Sequence, residues 1–225
     1  MIKFDNVTKK YKNNVVAIHD VSLEIKPGEF VFLTGASGAG KSTIIKLLLK
    51  EIDPDQGKIF LEGENITKVS KRTVPQIRSK IGVVFQDFRL LENRTVEDNI
   101  GFILDIWGFS RIEKKRRINK ALSEVKLLHK KKSYPNQLSG GEQQRVSIAR
   151  AISTNPTMII CDEPTGNLDP DTSWEIMNYL DRINAQGTTV IMSTHSREIV
   201  DTMQKRVLSL QYGEIVRDCV GGYCE

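Results

Sequence analysis

The chain reads Gly35-Ala36-Ser37-Gly38-Ala39-Gly40-Lys41-Ser42-Thr43 at the point where an apolar run gives way to a helical pattern. This stretch fits the pattern G-x-x-x-x-G-K-[ST]. The residues before it (30–33, FVFL) have the composition of a buried strand, and those after it (44–49, IIKLLL) suit a helix packed on a sheet. A strand that turns into a helix through this pattern predicts a P-loop, which is a phosphate-binding turn, within an α/β fold.

Each residue type in the P-loop (residues 35–43) has a physical reason. The glycines allow positive φ and a close backbone approach, so that successive N–H groups converge on one anion, and the helix dipole adds to this attraction. Lys41 supplies a charge for the terminal phosphates, Ser42 a hydroxyl for Mg²⁺, and Thr43 a hydroxyl for a phosphate oxygen. The residues predicted to bind the phosphates are Gly35, Ser37, Gly38, Gly40, Lys41, Ser42 and Thr43. The alternative is a glycine-rich turn with an exposed lysine.

At 225 residues, the chain is long enough for one large α/β domain with a smaller inserted subdomain. No run approaches the roughly 18 apolar residues of a membrane-spanning helix, and the first residues lack a secretory-signal pattern. We therefore expect a cytoplasmic protein that reaches the inner face of a membrane only through a partner.

The formal net charge is +5, and the basic residues cluster at 114–117 (KKRR) and 130–132 (KKK). Such runs occur on solvated helix faces and on surfaces that bind nucleic acid or anionic lipid. The excess is compatible with either explanation. The three cysteines, Cys161, Cys219 and Cys224, predict reduced thiols in a chain without an export signal.

Polar side chains follow three further apolar runs. Gln86, the pair Asp162-Glu163, and His195 each come directly after a segment suited to a buried strand. Ligands bind at the carboxyl ends of the strands in open parallel sheets. We assign Asp162 to Mg²⁺ through its water shell and Glu163 to polarising the attacking water. Gln86 is assigned to Mg²⁺ or the water and His195 to the γ-phosphate, the alternatives being a surface glutamine and a structural histidine.

Residues 89–138 change from strand patterns to helical ones. Thr95-Val96-Glu97-Asp98 and Ser110-Arg111-Ile112-Glu113 both fit the capping box that begins a helix. We therefore predict a helical subdomain over 89–138, inserted into one domain whose α/β core spans 1–88 and 139–225 and begins with a β subdomain.

An apolar cluster at Phe88, Leu90 and Leu91 directly precedes this insertion. Such a cluster in a loop suits either hinge packing or a docking surface.

A second anion site is predicted at Leu138-Ser139-Gly140-Gly141-Glu142, which opens a helical pattern through Ala151. A serine and two glycines at a helix start favour anion binding. The P-loop already provides one phosphate cradle, so this second site needs its own explanation.

The chain resembles the nucleotide-binding subunits of ABC transporters over nearly its whole length. The segments that carry the resemblance are the P-loop, residues 138–142 and residues 159–163. The resemblance implies a P-loop NTPase (RecA-like) fold. Its α/β core would have a mainly parallel sheet, an antiparallel β subdomain and an inserted α-helical subdomain. It also implies an ATPase using ATP and Mg²⁺, in which Ser139, Gly140 and Gly141 contact the γ-phosphate of ATP held by the other protomer of a head-to-tail homodimer.

The same resemblance implies further roles. Tyr11 would stack on adenine, although a packing role is the simpler explanation from its position alone. Gln86 would couple the metal to the partner, Asp169 would contact the second protomer, and His195 would act as a switch. This sequence has Gly166-Asn167 where many members of the family have Ser-Ala, which leaves the contact between protomers at that point open.

Three segments resemble the cell-division group of this family more closely: residues 84–91, 93–96 and 164–177. This implies an integral membrane partner and control of cell-wall hydrolases. Glu92 departs from the proline expected after Leu90-Leu91. Lipoprotein-releasing and macrolide-export ATPases share the segment Pro-Thr-Gly-Asn-Leu-Asp, so they are the alternative within the family.

Two alternatives come from other classes. A soluble ABC-type ATPase acting on nucleic acid or ribosomes would use the basic runs, but such proteins usually carry a coiled-coil insertion or a second nucleotide domain. An ATP-sensing module without turnover is disfavoured by Glu163. We therefore expect an ATPase that docks on a membrane protein and does not bind nucleic acid directly.

Overall fold

The computed structural model describes residues 1–11 and 15–222. The strands are β1 (Ile2–Lys10), β2 (Val16–Ile25), β3 (Phe30–Thr34), β4 (Gln56–Leu61), β5 (Glu64–Asn65), β6 (Ile81–Phe85), β7 (Met158–Asp162), β8 (Thr189–Ser193), β9 (Arg206–Gln211) and β10 (Glu214–Val220). The helices are α1 (Lys41–Leu48), α2 (Val74–Ser79), α3 (Val96–Ile106), α4 (Arg111–Glu124), α5 (Gly140–Ile152), α6 (Pro170–Ala185) and α7 (Arg197–Met203).

The central sheet has six strands in the order β10-β9-β3-β8-β7-β6. All neighbours are parallel except β10, which pairs antiparallel with β9. Every residue of β3 and β8 is buried, as expected for strands covered on both faces. The P-loop NTPase fold predicted from the sequence is confirmed.

Strand register places the ends of the parallel strands on one line. Phe85 of β6 pairs with Asp162 of β7, and Asp162 pairs with Ser193 of β8. Ser193 in turn pairs with Leu33 of β3, two residues before the P-loop begins. The residues that follow these strands therefore meet at one edge of the sheet.

A second, antiparallel sheet has the order β2-β1-β4-β5. Its apolar side chains, including Phe4, Ile18 and Ile59, share one buried cluster with Leu47 of α1 and Leu208 of β9. This cluster packs α1 against both sheets, and so it positions the P-loop that precedes this helix.

Helices α3 and α4 begin where the sequence predicts. The Thr95 hydroxyl accepts a hydrogen bond from the Asp98 N–H at 3.2 Å, and the Ser110 hydroxyl accepts one from the Glu113 N–H at 3.3 Å. The reciprocal half of the capping box is replaced in both cases. Asp98 accepts a hydrogen bond from the Thr95 hydroxyl. Glu113 instead accepts hydrogen bonds from the guanidinium groups of Arg116 and Arg117, which lower the pKa of Glu113 to about 2.

The C-terminal hairpin is formed by β9 and β10, and β10 continues to Val220. Cys219 is disulfide-bonded, so the prediction of reduced thiols is wrong at this position. Cys224 lies outside the described residues. No helix in the described part of the chain is long and apolar enough to span a membrane.

Gly82 marks a close contact between β6 and α5. A Cβ built on Gly82 would lie 2.7 Å from the carbonyl oxygen of Ala151. We expect Gly82→Ala to lower the free energy of unfolding by about 1–3 kcal/mol, because backbone on both sides must shift. The measurement is urea unfolding with an unchanged m-value.

Gly101→Ala in α3 is the matched control. A Cβ there meets Ile118 Cδ1 at an ordinary 3.5 Å, and alanine favours the helix by roughly 0.5–1 kcal/mol. Equal unfolding midpoints for the two variants would contradict the assignment of the β6–α5 contact.

Candidate nucleotide site

The backbone of the P-loop has positive φ at all three predicted glycines: 136° at Gly35, 79° at Gly38 and 116° at Gly40. A Cβ on Gly35 would lie 2.3 Å from the carbonyl oxygen of Leu210, and one on Gly40 would lie 2.8 Å from that of Ala17. Neighbouring backbone therefore also excludes side chains at these two positions. A Cβ on Gly38 meets nothing within 4 Å, which leaves this side of the loop open to a ligand.

The start of α1 presents donors and hydroxyl groups to that open side. No side chain caps the first turn, whose N-cap is Gly40. Ser37 and Ser42 are exposed, and Thr43 is buried. The Tyr11 hydroxyl lies 3.4 Å from Thr43 Oγ1, which places this aromatic ring beside the P-loop.

Lys41 is held inside the loop. Its Nζ donates to the carbonyl oxygens of Gly35 at 2.7 Å and Ala36 at 3.1 Å. Burial lowers the pKa of Lys41, while the nearby charges of Glu163 and Asp162 raise it. The ammonium group therefore lies where phosphate oxygens can replace two carbonyl partners.

His195 joins the lysine to the catalytic candidate Glu163. Its Nε2 lies 2.7 Å from Glu163 Oε1 and 3.3 Å from Lys41 Nζ. The three predicted side chains thus meet, although 154 residues separate Lys41 from His195.

Ser193 holds the carboxylate of Asp162 and the backbone of Glu163, and it was missed by the sequence reasoning. Its buried hydroxyl donates to Asp162 Oδ1 at 2.7 Å and accepts from the Glu163 N–H at 3.0 Å. Glu163 has φ of 48°, an uncommon conformation for a residue with a side chain, so this second bond helps hold the turn.

We expect Ser193→Ala to raise the Mg²⁺ concentration needed for half-maximal ATP hydrolysis by about 10-fold, because groups that orient a metal-binding carboxylate typically have effects of this size. Ser209→Ala is the control, since its hydroxyl lies 2.9 Å from Thr34 Oγ1 at the end of the next strand and bonds neither acid. A Mg²⁺ titration that gives the same midpoint for both variants would contradict this role.

Gln86 faces the loop that follows Glu163. Its Nε2 donates to Asn167 Oδ1 at 3.1 Å, and a Cβ on Gly166 would lie 2.9 Å from the same nitrogen. The two residues that depart from the common family pattern are therefore the ones that contact Gln86. Asn167 supplies an acceptor, and Gly166 supplies space.

Ser139 begins α5 with a complete capping box. Its hydroxyl accepts from the Glu142 N–H at 3.2 Å, and its own N–H donates to Glu142 Oε2 at 2.9 Å. Ser139 and Gly140 are exposed, whereas a Cβ on Gly141 would lie 2.4 Å from Thr172 Cγ2. Within the described residues, the hydrogen bonds of Ser139 stay inside this helix start and do not reach the P-loop.

Asp169 caps α6, where its Oδ1 accepts from the Thr172 N–H at 3.0 Å. This bonding to Thr172 also lowers the pKa of Asp169. The carboxylate thus has a structural role in the protomer, in addition to the contact with a second protomer that the family resemblance implies.

The groups that the site presents fit a nucleoside triphosphate with Mg²⁺. No group of three or more His, Cys, Asp or Glu that could hold a metal occurs among residues 1–11 and 15–222. The predicted metal ligands are instead Ser42, Gln86 and Asp162. An alcohol, an amide and one carboxylate are oxygen donors suited to Mg²⁺ that also binds phosphate oxygens.

Two further polar residues of α5 belong to this region and were not predicted. Gln144 donates to Pro164 O, and Arg150 to the carbonyl oxygens of Phe88 and Arg89. Gln144 lies on the apolar stripe of α5, and a polar residue on such a stripe is a usable sequence signal. The sequence carries no such signal for the contacts of Arg150, because this side chain binds a backbone carbonyl group 61 residues away.

The family model described as ABC transporter matches residues 18–166, and the chain belongs to this family. The match confirms the ABC-type ATPase predicted from the sequence. The chain is 51% identical to the cell division ATP-binding protein FtsE of Bacillus subtilis over 97% of its length and 96% of that protein. It is 50% identical to FtsE of Streptococcus pneumoniae serotype 2, over 97% of this chain and 95% of the relative.

A solved structure shows the same fold. It is described as the dimeric structure of a post-hydrolysis state of the ATP-binding cassette MJ0796 bound to ADP and Pi. The similarity has a TM-score of 0.88 and 36% identity, and it covers 98% of both chains.

Proposed function

We propose that this chain is the ATP-hydrolysing subunit of a membrane complex of the FtsE type, which couples ATP-driven dimerisation to the control of cell-wall hydrolysis during division. The observation that supports this chemistry is that His195 contacts both Glu163 and Lys41, at no more than 3.3 Å, at the end of the parallel sheet. The names and near full-length similarity of the FtsE relatives support the cell-division role.

In this proposal, Glu163 accepts the proton of the water that attacks the γ-phosphate, and His195 orients Glu163 toward that water. Lys41 and the N–H groups of the P-loop stabilise the negative charge that develops on the phosphate oxygens. Bound Mg²⁺ would supply further charge neutralisation, held by Ser42 and Gln86 directly and by Asp162. Tyr11 stacks on the adenine.

The homodimer completes the site. Ser139, Gly140 and Gly141 of one protomer contact the nucleotide in the P-loop of the other, and Asp169 lies at the contact between the two copies. Exposure of Ser139 and Gly140, together with the dimeric state of the solved MJ0796 structure, supports this arrangement.

The partner is an integral membrane protein resembling FtsX, which places this chain at the inner face of the cell membrane. We propose that it docks on residues 88–91 and on the helical subdomain, residues 89–138. Leu90 packs on the core and so acts as hinge packing, whereas Leu91 is 37% exposed and is available for docking.

The test is capture of the membrane partner. Tagged Glu163→Gln protein with ATP should retain an FtsX-like integral protein from solubilised membranes of the source cell, and Lys41→Ala protein should not. Retention of a lipoprotein-releasing or macrolide-export permease, or of ribosomes or nucleic acid, would overturn the cell-division role in favour of the corresponding alternative.

A further inference from the structure

Helix α5 contacts the backbone on both sides of Gln86. Before it, the buried Gln144 Nε2 donates to the carbonyl oxygen of Phe85 at 3.3 Å. After it, Arg150 donates through Nη1 to the carbonyl oxygen of Arg89 at 2.5 Å and through Nη2 to that of Phe88 at 2.8 Å. Two side chains of one helix therefore fix the segment that carries Gln86.

The segment after Gln86 has a conformation that needs such support. Phe88 and Arg89 have φ of 58° and 47°, so two consecutive residues with side chains are left-handed. Such a conformation persists only where the surroundings hold it. The Arg89 guanidinium stacks on the Phe85 ring at 3.7 Å, and the Arg150 fork holds both left-handed carbonyl groups.

Gln144 also reaches the loop after the catalytic candidate. Its Nε2 donates to the carbonyl oxygen of Pro164, the residue after Glu163, at 2.6 Å. Its Oε1 is buried without a hydrogen-bond partner among the described residues. The amide nitrogen of Gln144 therefore contacts two backbone segments of the nucleotide site.

We propose that Gln144 and Arg150 are positioning residues that fix Gln86 relative to Ser139 and thereby couple the two nucleotide sites of the dimer. This inference rests on the proposed function, in which Ser139 contacts the partner's nucleotide while Gln86 serves the protomer's own. Both residues lie on the helix that Ser139 caps, and this helix packs closely on β6 at Gly82. Movement of Ser139 onto one nucleotide is thus transmitted to Gln86 at the other.

The test is the dependence of hydrolysis on ATP concentration. For wild-type protein we expect a Hill coefficient approaching about 2, the number of sites in the dimer. Arg150→Lys, which replaces a two-pronged donor with a single ammonium group, and Gln144→Leu, which removes the donors at similar size, should lower it to about 1. Affinity of the Mg²⁺-free protomer for a fluorescent ATP analogue should change less than about 2-fold, since the P-loop is untouched.

Arg145→Lys and Gln143→Leu are the matched controls on the same helix. Arg145 pairs with Glu175 of α6, and Gln143 donates to Leu138 O, so neither reaches the Gln86 segment. Both controls should keep the wild-type Hill coefficient. If Gln144→Leu unfolds, as judged by circular dichroism, Arg150→Lys carries the test.

A wild-type Hill coefficient of about 1, or equal values in wild type and Arg150→Lys, would overturn the coupling. Failure of the proposed function is recognised separately, by mixing one variant that is defective in the P-loop with one that is defective at Ser139. If the mixture recovers no activity, the two protomers share no site and the proposed function fails. If it recovers activity while wild type and Arg150→Lys have equal Hill coefficients, the coupling alone is overturned.

Discussion

Glu163→Gln should slow ATP hydrolysis by roughly 10²–10⁴-fold, the usual contribution of a positioned general base. Glutamine keeps the length of the side chain and its contact with His195, but it cannot accept the proton of the attacking water. ATP binding should persist, because Lys41 and the P-loop glycines are unchanged. Dimers should therefore accumulate with ATP, since hydrolysis no longer separates them.

Phosphate release and light scattering with ATP measure the two effects. Glu198→Gln is the matched control, because Glu198 is an exposed carboxylate that lines the same cavity as Glu163 and His195. It should hydrolyse ATP at the wild-type rate. Unchanged turnover in Glu163→Gln would refute the catalytic assignment.

Two inactive variants should restore activity when they are mixed. Lys41→Ala removes the phosphate-binding ammonium group, and Ser139→Arg places a bulky side chain at the exposed start of α5. Each change alone should lower hydrolysis at least about 10²-fold, the usual effect of losing one charge-stabilising donor. If Ser139 acts on the partner's nucleotide, a mixed dimer contains one site with both defects and one intact site. Random pairing then recovers at most about a quarter of the wild-type rate in a two-fold symmetric dimer, and coupling between the two sites lowers this share.

The control mixes Lys41→Ala with the double variant Lys41→Ala/Ser139→Arg, which leaves no intact site and should stay inactive. Thermal unfolding of Ser139→Arg should show only the loss of the helix cap, about 1 kcal/mol. An absence of recovery between the two folded single variants would place Ser139 outside any shared site.

Local patterns were sufficient for several features of this protein. The P-loop, the caps at Thr95 and Ser110, and the helix start at Ser139 each depend on residues close together in the sequence, and the structure has them at the predicted positions. The same motifs identified the ABC family, because their residue types are dictated by phosphate chemistry. Local reasoning was incomplete where two local rules compete for one side chain. Glu113 binds Arg116 and Arg117, one helical turn further on, instead of completing its capping box.

Which residues meet at the site depends on how the strands and helices pack. Gln86, Asp162 and His195 are brought together by strand order and register, which a pattern of apolar residues does not specify. The positioning contacts of Ser193, Gln144 and Arg150 join residues 20 to 62 positions apart, so no periodicity identifies the partners of these side chains. The residue types of the local motifs set the chemistry that is available to the protein. The packing of distant strands and helices determined the geometry in which that chemistry can act.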